Sequence, residues 1–332
     1  MRAPRGWWHD KPDGLARLLQ PFGAIYGAIT AARMKGEGMR APVPVICIGN
    51  FVAGGAGKTP TALALGEMLI AQGKRIAFLS RGFGGSLSHA RALRVDLAKH
   101  NSAQVGDEPL LLTKLAPTFI CTDRVAGAQA AADAGASLII MDDGLQNPSL
   151  HKDLRLAVVD GAMGVGNGLC LPAGPLRAPL ADQWPHVDAL IVIGEGKAGD
   201  RLAADAQALG CPVLRAKLVP QNRDQLRGQR VFAFAGIGAP QKFFRTLEAC
   251  GAELIKTQSF EDHHPFTPAE IQEIRRACEA DAAGPLIPVT TEKDAMRIAS
   301  ESVPGLIVLK VALKFESSSD LAAVIASKIT RG

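Results

Sequence analysis

The segment Ala53–Thr59, AGGAGKT, stands between an apolar run, VPVICIGN (43–50), and a helix-like stretch, TPTALALGEMLIAQG (59–73). No other feature constrains the fold as much. A glycine-rich turn from a buried strand into a helix exposes backbone N–H groups that surround phosphate oxygens, and the helix N-terminus adds a favourable dipole. Lys58 supplies a point charge for terminal phosphates and Thr59 a hydroxyl for Mg²⁺. Val52 occupies the first glycine position of the strict GxxxxGK[ST] pattern, so the candidate ATP loop reads Val52, Ala53, Gly54, Gly55, Ala56, Gly57, Lys58, Thr59. An ordinary strand-to-helix turn is the bland alternative. A GKT opening a helix straight after a buried strand favours nucleotide binding.

The rest of the chain repeats this alternation. RIAFLS (75–80), TFICT (118–122), SLIIMDD (137–143), LRLAVVD (154–160) and DALIVIG (188–194) are apolar enough for strands buried on both faces of a parallel sheet. A second series starts near residue 230 with RVFAFAGIG (230–238), ELIKTQSF (253–260) and the helix-like TPAEIQEIRRACEA (267–280), followed by further strand-like runs. With 332 residues, two domains are expected. The boundaries read as a basic N-terminal arm over 1–40, a nucleotide-binding domain over 41–222 and a smaller α/β domain over 223–332, joined through VPQNRDQLRGQ (219–229). Hydrophobic residues make up 47% and charged residues 21%, which excludes a mainly disordered chain.

The formal charge of +5 is unevenly placed. Arg2, Arg5, Lys11, Arg17, Arg33, Lys35 and Arg40 face only Asp10, Asp13 and Glu37 within residues 1–40, a net of +4, which leaves +1 for the remainder. The body is therefore not a nucleic-acid binder. The arm also carries Trp7, Trp8 and LARLLQPFGAIYGAITAAR (15–33), whose charge-free run from Phe22 to Ala32 is 11 residues long. A spanning helix needs about 20. An interfacial element and a helix packed on the protein's own surface both fit these residues. Six scattered cysteines form no CxxC pair and read as reduced cytosolic thiols.

Several polar motifs sit at strand ends. MDDGLQ (141–146) places Asp142 where an open α/β sheet binds ligands and where a P-loop enzyme holds Mg²⁺; Asp143 fits metal or substrate. VGDEP (105–109) puts Asp107 and Glu108 before a helical run, as capping residues or as groups facing a phosphate. EDHHPFT (261–267) offers an Asp-His neighbour that is either an oriented imidazole or a solvated loop. Glycine-rich GAMGVGNG (161–168) lacks the context of a dinucleotide loop.

In combination, PVPVICIGNFVAGGAGKTPT, SRGFGG, VGDEP, DDGLQ, GNGLCLPAGPLR, FAGIGAPQKFF, the DHH step and TTEKDA resemble the tetraacyldisaccharide 4'-kinases, the lipid A 4'-kinases of Gram-negative bacteria. The resemblance covers most of the chain. It implies two α/β/α domains, the larger a P-loop NTPase-type parallel sheet, with the active site between them and a membrane-interacting N-terminal helical arm. It implies transfer of the ATP γ-phosphate to the 4'-hydroxyl of tetraacyldisaccharide 1-phosphate, giving lipid IV(A), by a peripheral, monomeric protein on the cytoplasmic face of the inner membrane. By motif, Lys58 and Thr59 would hold ATP and Mg²⁺. Asp107 would match the catalytic carboxylate, supported by His263, and Glu108 and Asp142 would match metal positions. Arg81, Asp143 and Gln146 would match positions that meet substrate. The family pattern has His after DDGxQ and an acidic residue after GPLR; here Asn147 and Ala178 stand. The competing class is a switch ATPase of the deviant P-loop type, but its lysine before the paired glycines is Ala53 here. VGDEP and DHH count against a nucleotide-binding membrane scaffold only if they converge in space.

Overall fold

A computed structural model describes residues 4–9, 11–87, 91–279, 283–299 and 301–329; Arg2, Asp10 and Ala280, which figure in the readings above, lie outside the described residues. The helices are α1 (Gly14–Met34), α2 (Lys58–Ala71), α3 (Ser102–Val105), α4 (Asp107–Thr113), α5 (Arg124–Asp133), α6 (Leu180–Gln183), α7 (Lys197–Ala208), α8 (Pro240–Ala249), α9 (Pro268–Glu279), α10 (Glu292–Ala295) and α11 (Ser318–Lys328). The strands are β1 (Val45–Gly49), β2 (Ile76–Ser80), β3 (Leu93–Arg94), β4 (Thr118–Ile120), β5 (Leu138–Asp142), β6 (Leu154–Asp160), β7 (Ala189–Ile193), β8 (Val213–Pro220), β9 (Arg230–Ala235), β10 (Glu253–Ser259), β11 (Ile287–Thr291), β12 (Ile307–Leu309) and β13 (Val311–Phe315).

Nine strands form the larger sheet in the order β13-β8-β7-β6-β1-β5-β2-β4-β3. All neighbours from β8 through β4 run parallel, and only the edge strands β13 and β3 are antiparallel. The pleat sends alternate residues to opposite faces. Ile46 and Ile48 of β1 pack with Leu65 of α2 and with Leu321 and Ile325 of α11, whereas Val45 and Cys47 pack with Ala128 and Ala131 of α5. Because both faces are covered, the central strands are apolar throughout. The smaller sheet, β10-β9-β11-β12, is wholly parallel. Phe243, Phe244 and Leu247 of α8 cover one face, and Ile271, Ile274 and Cys278 of α9 the other.

The sheets do not divide the chain at a single point, which corrects the assignment of everything after residue 223 to the smaller domain. After β12 the chain turns back, β13 pairs with β8 from Val311↔Pro220 to Phe315↔Ala216, and α11 buries Leu321 and Ile325 in the larger core. The outgoing and returning crossings run side by side: Asn222 donates to Val308 O at 3.0 Å and accepts from Lys310 N at 3.0 Å. The physical cause is burial: Leu313 and the apolar face of α11 find their partners on β8 and α2, not on the smaller sheet.

Asp188, just before β7, fastens this returned helix. Its carboxylate accepts from Arg155 N, Nε and Nη2 at 2.8, 2.9 and 3.1 Å and from Lys328 Nζ at 3.1 Å. Burial raises the Asp188 pKa, but the bonds from Arg155 and Lys328 outweigh it and hold the carboxyl below its usual range. A depressed folded pKa gives stability that is complete above the unfolded value and fades as pH falls through the folded one. Asp188→Asn is therefore expected to destabilise the protein by about 1.5–3 kcal/mol at pH 7. The difference from the parent, read by thermal melts, should shrink below about pH 4.

The arm forms a short 3₁₀ turn, Arg5–Trp8, and then α1, which continues through Pro21. Ala16, Gly23, Gly27 and Ala31 make its inner face. A Cβ on Gly23 would lie 2.6 Å from Cys170 O and one on Gly27 2.7 Å from Cys170 Sγ, so only glycine allows this approach. On the outer face, Leu15, Leu18, Phe22, Ile25 and Ile29 are 57–71% exposed. Among the described residues, no helix is long and apolar enough to cross a membrane.

Candidate active site

The phosphate-loop candidate caps β1 and opens α2. Its first residues are tied to the segment that follows β6. Ala53 N donates to Pro175 O at 2.7 Å, Arg177 N donates to Phe51 O at 2.9 Å and Arg177 Nε donates to Val52 O at 3.1 Å. Val52 also bridges Leu176, so the position that departs from the glycine pattern is a buried anchor. Gly54 (φ 122°) and Gly57 (φ 91°) then turn the chain into α2, in a region L-residues avoid. Lys58 is buried, with Nζ 3.4 Å from Gly54 O and 3.8 Å from Asp143 Oδ2, and Thr59 is buried beside it in sequence.

Asp142 ends β5, next to β1, and is 1% exposed. Among the described residues only four buried side-chain N or O atoms lack a hydrogen-bond partner: Asn50 Oδ1, Arg124 Nε and both carboxylate oxygens of Asp142. Asn50 and Asp142 lie at the C-terminal ends of β1 and β5 and Arg124 opens α5 in the connection after β4, on the edge where such sheets take ligands. Burial and the neighbouring Glu108 charge push the Asp142 pKa up to about 7, against the pull of Lys58. A buried carboxylate with two unpartnered oxygens fits a hard divalent cation, and the donors proposed with it, Thr59 Oγ1 and Glu108, are also oxygens. No three His, Cys, Asp or Glu side chains form a ready metal cage among the described residues. Mg²⁺ carried on nucleotide phosphates requires none.

Asp143, at φ 56°, turns back toward the loop. Its oxygens receive Arg177 Nη1 at 2.7 Å and Nη2 at 2.9 Å. Burial raises its pKa, but Lys58 and Arg177 outweigh burial and hold it well below the carboxylate range. Gln146 donates to Asn50 O at 2.7 Å and to Gln183 Oε1 at 2.8 Å, and accepts from Arg177 at 3.3 Å. Its amide thus braces the loop. Arg81 lies exposed after β2, on the same edge of the sheet but beyond β5.

Asp107 is the first residue of α4 and makes no capping bond, since Gly106 is the N-cap; its carboxylate faces the smaller domain instead. It is 3% exposed; Oδ1 accepts Glu108 N at 3.0 Å. His263 Nδ1 approaches Oδ2 at 3.2 Å, and Arg297 Nη2 donates to the same oxygen at 2.8 Å. Burial opposes ionisation of Asp107, but the His263 hydrogen bond and the Lys293, His263 and Arg297 charges hold it well below the carboxylate range. The same bond raises the pKa of His263. Glu108 accepts Lys293 Nζ at 2.7 Å and lies in the field of Lys58, which link the dyad region to the phosphate loop. The two histidines of the DHH step separate. His264 stacks on Phe260 at 4.7 Å and bonds Glu270 at 2.9 Å, whereas His263 meets the edge of Phe83 from the larger domain. VGDEP and DHH do converge in space.

Sequence reasoning assigned no role to Arg177, Lys293 or Arg297. Arg177 and Lys293 lie in quoted motifs and Arg297 two residues after one, and the four-residue spacing of Lys293 and Arg297 was the available signal. The family model for tetraacyldisaccharide-1-P 4'-kinases (LpxK) matches residues 15–330. The chain belongs to this kinase family. A tetraacyldisaccharide 4'-kinase of Methylorubrum extorquens is 52% identical over 331 residues, all of both chains, and one of Methylobacterium sp. is 53% identical over 98% of each. A crystal structure of LpxK from Aquifex aeolicus in complex with ATP superposes with a TM-score of 0.72 at 26% identity, covering 95% of this chain and 99% of that one. Within the LpxK pattern, Asn147 Oδ1 accepts Ser149 N and Oγ at 2.9 and 2.7 Å, and Ala178 is fully buried with its carbonyl on Gln183. Both departures are built into local structure here.

Proposed function

We infer that the chain is an ATP-dependent kinase that transfers the γ-phosphate to the 4'-hydroxyl of tetraacyldisaccharide 1-phosphate, forming lipid IV(A). Membership of the family supports this, and one observation carries it. Asp107 and Glu108, adjacent in the larger domain, bind His263, Lys293 and Arg297 of the other, with Glu108 also in the field of Lys58. Acceptor and nucleotide would meet in that cleft.

Thr59, Asp142 and Glu108 would hold Mg²⁺, which would supply positive charge against the phosphates. The loop N–H groups and Lys58 stabilise charge on the phosphates from fixed positions, which requires no reorganisation during the reaction. Asp143 holds Lys58 and is itself held by Arg177. Exposure apportions the proton chemistry within the dyad. Asp107 is enclosed and receives three donors on Oδ2, whereas the His263 side chain is 35% exposed and leaves Nε2 outside the Asp107 contact. The sequence reading makes the Asp107 carboxylate the proton acceptor with His263 orienting it; the exposures favour the reverse, and we assign Nε2 as the acceptor of the sugar hydroxyl proton, with Asp107 fixing the ring through Nδ1–H. The hydroxyl O–H bond breaks toward His263 as oxygen bonds phosphorus, and the bond to the leaving β-phosphate breaks to release ADP. Purified protein with Mg²⁺, acceptor in detergent micelles and ATP labelled at either phosphate tests this reading. Label should reach the lipid from the γ position alone; transfer from neither position overturns it.

We also propose that the protein works at the cytoplasmic face of the inner membrane. The outward face of α1, with Arg17, Arg33 and Lys35 at its flanks, suits an anionic lipid surface, and a tetraacylated substrate does not leave the bilayer readily. Phe22→Glu with Ile25→Glu should weaken co-sedimentation with anionic vesicles at least about tenfold, because each apolar side chain contributes about 1.5–3 kcal/mol when buried. ATP binding should not change.

A further inference from the structure

Arg297 follows α10, 190 residues from Asp107. Its side chain is 5% exposed, and every nitrogen has an acceptor. Nε and Nη2 reach Asp107 Oδ2 at 3.2 and 2.8 Å. Nη1 donates to Gly236 O at 3.1 Å and His264 O at 3.2 Å and lies 3.1 Å from Asp294 Oδ1. The same Gly236 O accepts His263 N at 3.1 Å, while Gly236 N donates to Asp294 at 3.0 Å. One guanidinium therefore grips the dyad carboxylate on the larger domain and, with its other edge, the loop that carries the dyad imidazole. That loop needs a grip, because His263 sits at φ 59°, where an L-residue stays only when its surroundings hold it. A lysine cannot reproduce the grip, since an ammonium on a flexible stem lacks the planar fork that addresses both sides at once.

We propose that Arg297 is a positioning residue for phosphoryl transfer: it sets Asp107 and His263 in register across the two sheets, so that closing the domains and assembling the dyad are one event. Arg297 would touch neither ATP nor acceptor and would act only through the dyad. The proposal rests on the kinase reading above.

The test measures kcat, KM and ATP affinity for Arg297→Ala and Arg297→Lys, each in the parent and in a His263→Ala background. A small misplacement of reacting groups lowers rates by about 10²-fold, so kcat should fall about 10²-fold in both variants. ATP affinity should stay within about threefold. In the His263→Ala background the further loss should be under about threefold, because residues acting as a unit are not additive. Millimolar guanidinium should restore part of the Arg297→Ala rate, and equimolar urea should not. Turnover near the parent value overturns the proposal, as does a loss that multiplies fully on His263→Ala or one matched by an equal loss of ATP affinity. If Arg297→Ala fails to fold, Arg297→Lys carries the same comparison. An unaltered protein that transfers no phosphate is a separate outcome, which refutes the kinase reading itself.

Discussion

Asp107→Asn is expected to lower kcat by about 10²–10⁴-fold, the range for general acid–base groups, with ATP affinity nearly unchanged. Asparagine keeps the volume and one acceptor but presents an amide toward His263 or Arg297. The imidazole then loses the ionic partner that fixes its tautomer, as in other carboxylate–histidine pairs. Lys58 contacts Gly54 and Asp143, not Asp107, so the loop's own contacts persist. His263→Ala should show a similar loss, and the double variant should be little worse than either alone. Steady-state kinetics with equilibrium ATP binding separates this from structural damage, which would lower both quantities together. Thermal melts belong beside the kinetics, because Asp107→Asn also removes the charge that Arg297 pairs with in a buried setting.

Lys58→Met should lower kcat/KM by about 10²–10³-fold, the effect of removing one preorganised charge or donor from a transition state. In contrast to Asp107→Asn, ATP affinity should fall too, because the role proposed for Lys58 puts it on phosphates in the ground state as well. Stability should fall only modestly. Lys58 helps hold the buried Asp143 carboxylate ionised, but that carboxylate keeps its bidentate partner Arg177. Removing the cation therefore weakens one ion pair without leaving its partner unpaired. A melt of Lys58→Met above the parent would count against this arrangement.

The parts legible in the sequence were those whose physics is local. Strand, glycine turn and GKT follow one another within about twenty residues, and the apolar strands announce a sheet covered on both faces. Val52, the visible departure from the loop pattern, becomes intelligible only with Leu176 and Arg177 beside it. The partnership of Asp107 with His263 spans two sheets, so it was reachable through family resemblance but not through spacing. Arg297 sits just beyond a four-residue helix, too short for a periodic pattern, and its purpose depends on a carboxylate in the other domain. The return of β13 to the larger sheet was hidden for a similar reason. One residue, Lys310, separates it from β12, and nothing in the composition marks a change of sheet there. In the arm, the helix continues through Pro21, and Gly23, Gly27 and Ala31 bind it to the body beyond that point.

The most direct measurement is the position of the new phosphate. Purified protein, MgATP and tetraacyldisaccharide 1-phosphate are incubated in micelles, and the lipid product is analysed by ³¹P NMR and tandem mass spectrometry. Expected is a bisphosphorylated lipid with phosphate at the 1 and 4' positions, formed far more slowly when Asp107→Asn or Lys58→Met replaces the parent protein. A recovered lipid that carries only its original 1-phosphate, from protein shown to bind ATP, contradicts the assignment of this cleft as a 4'-kinase site.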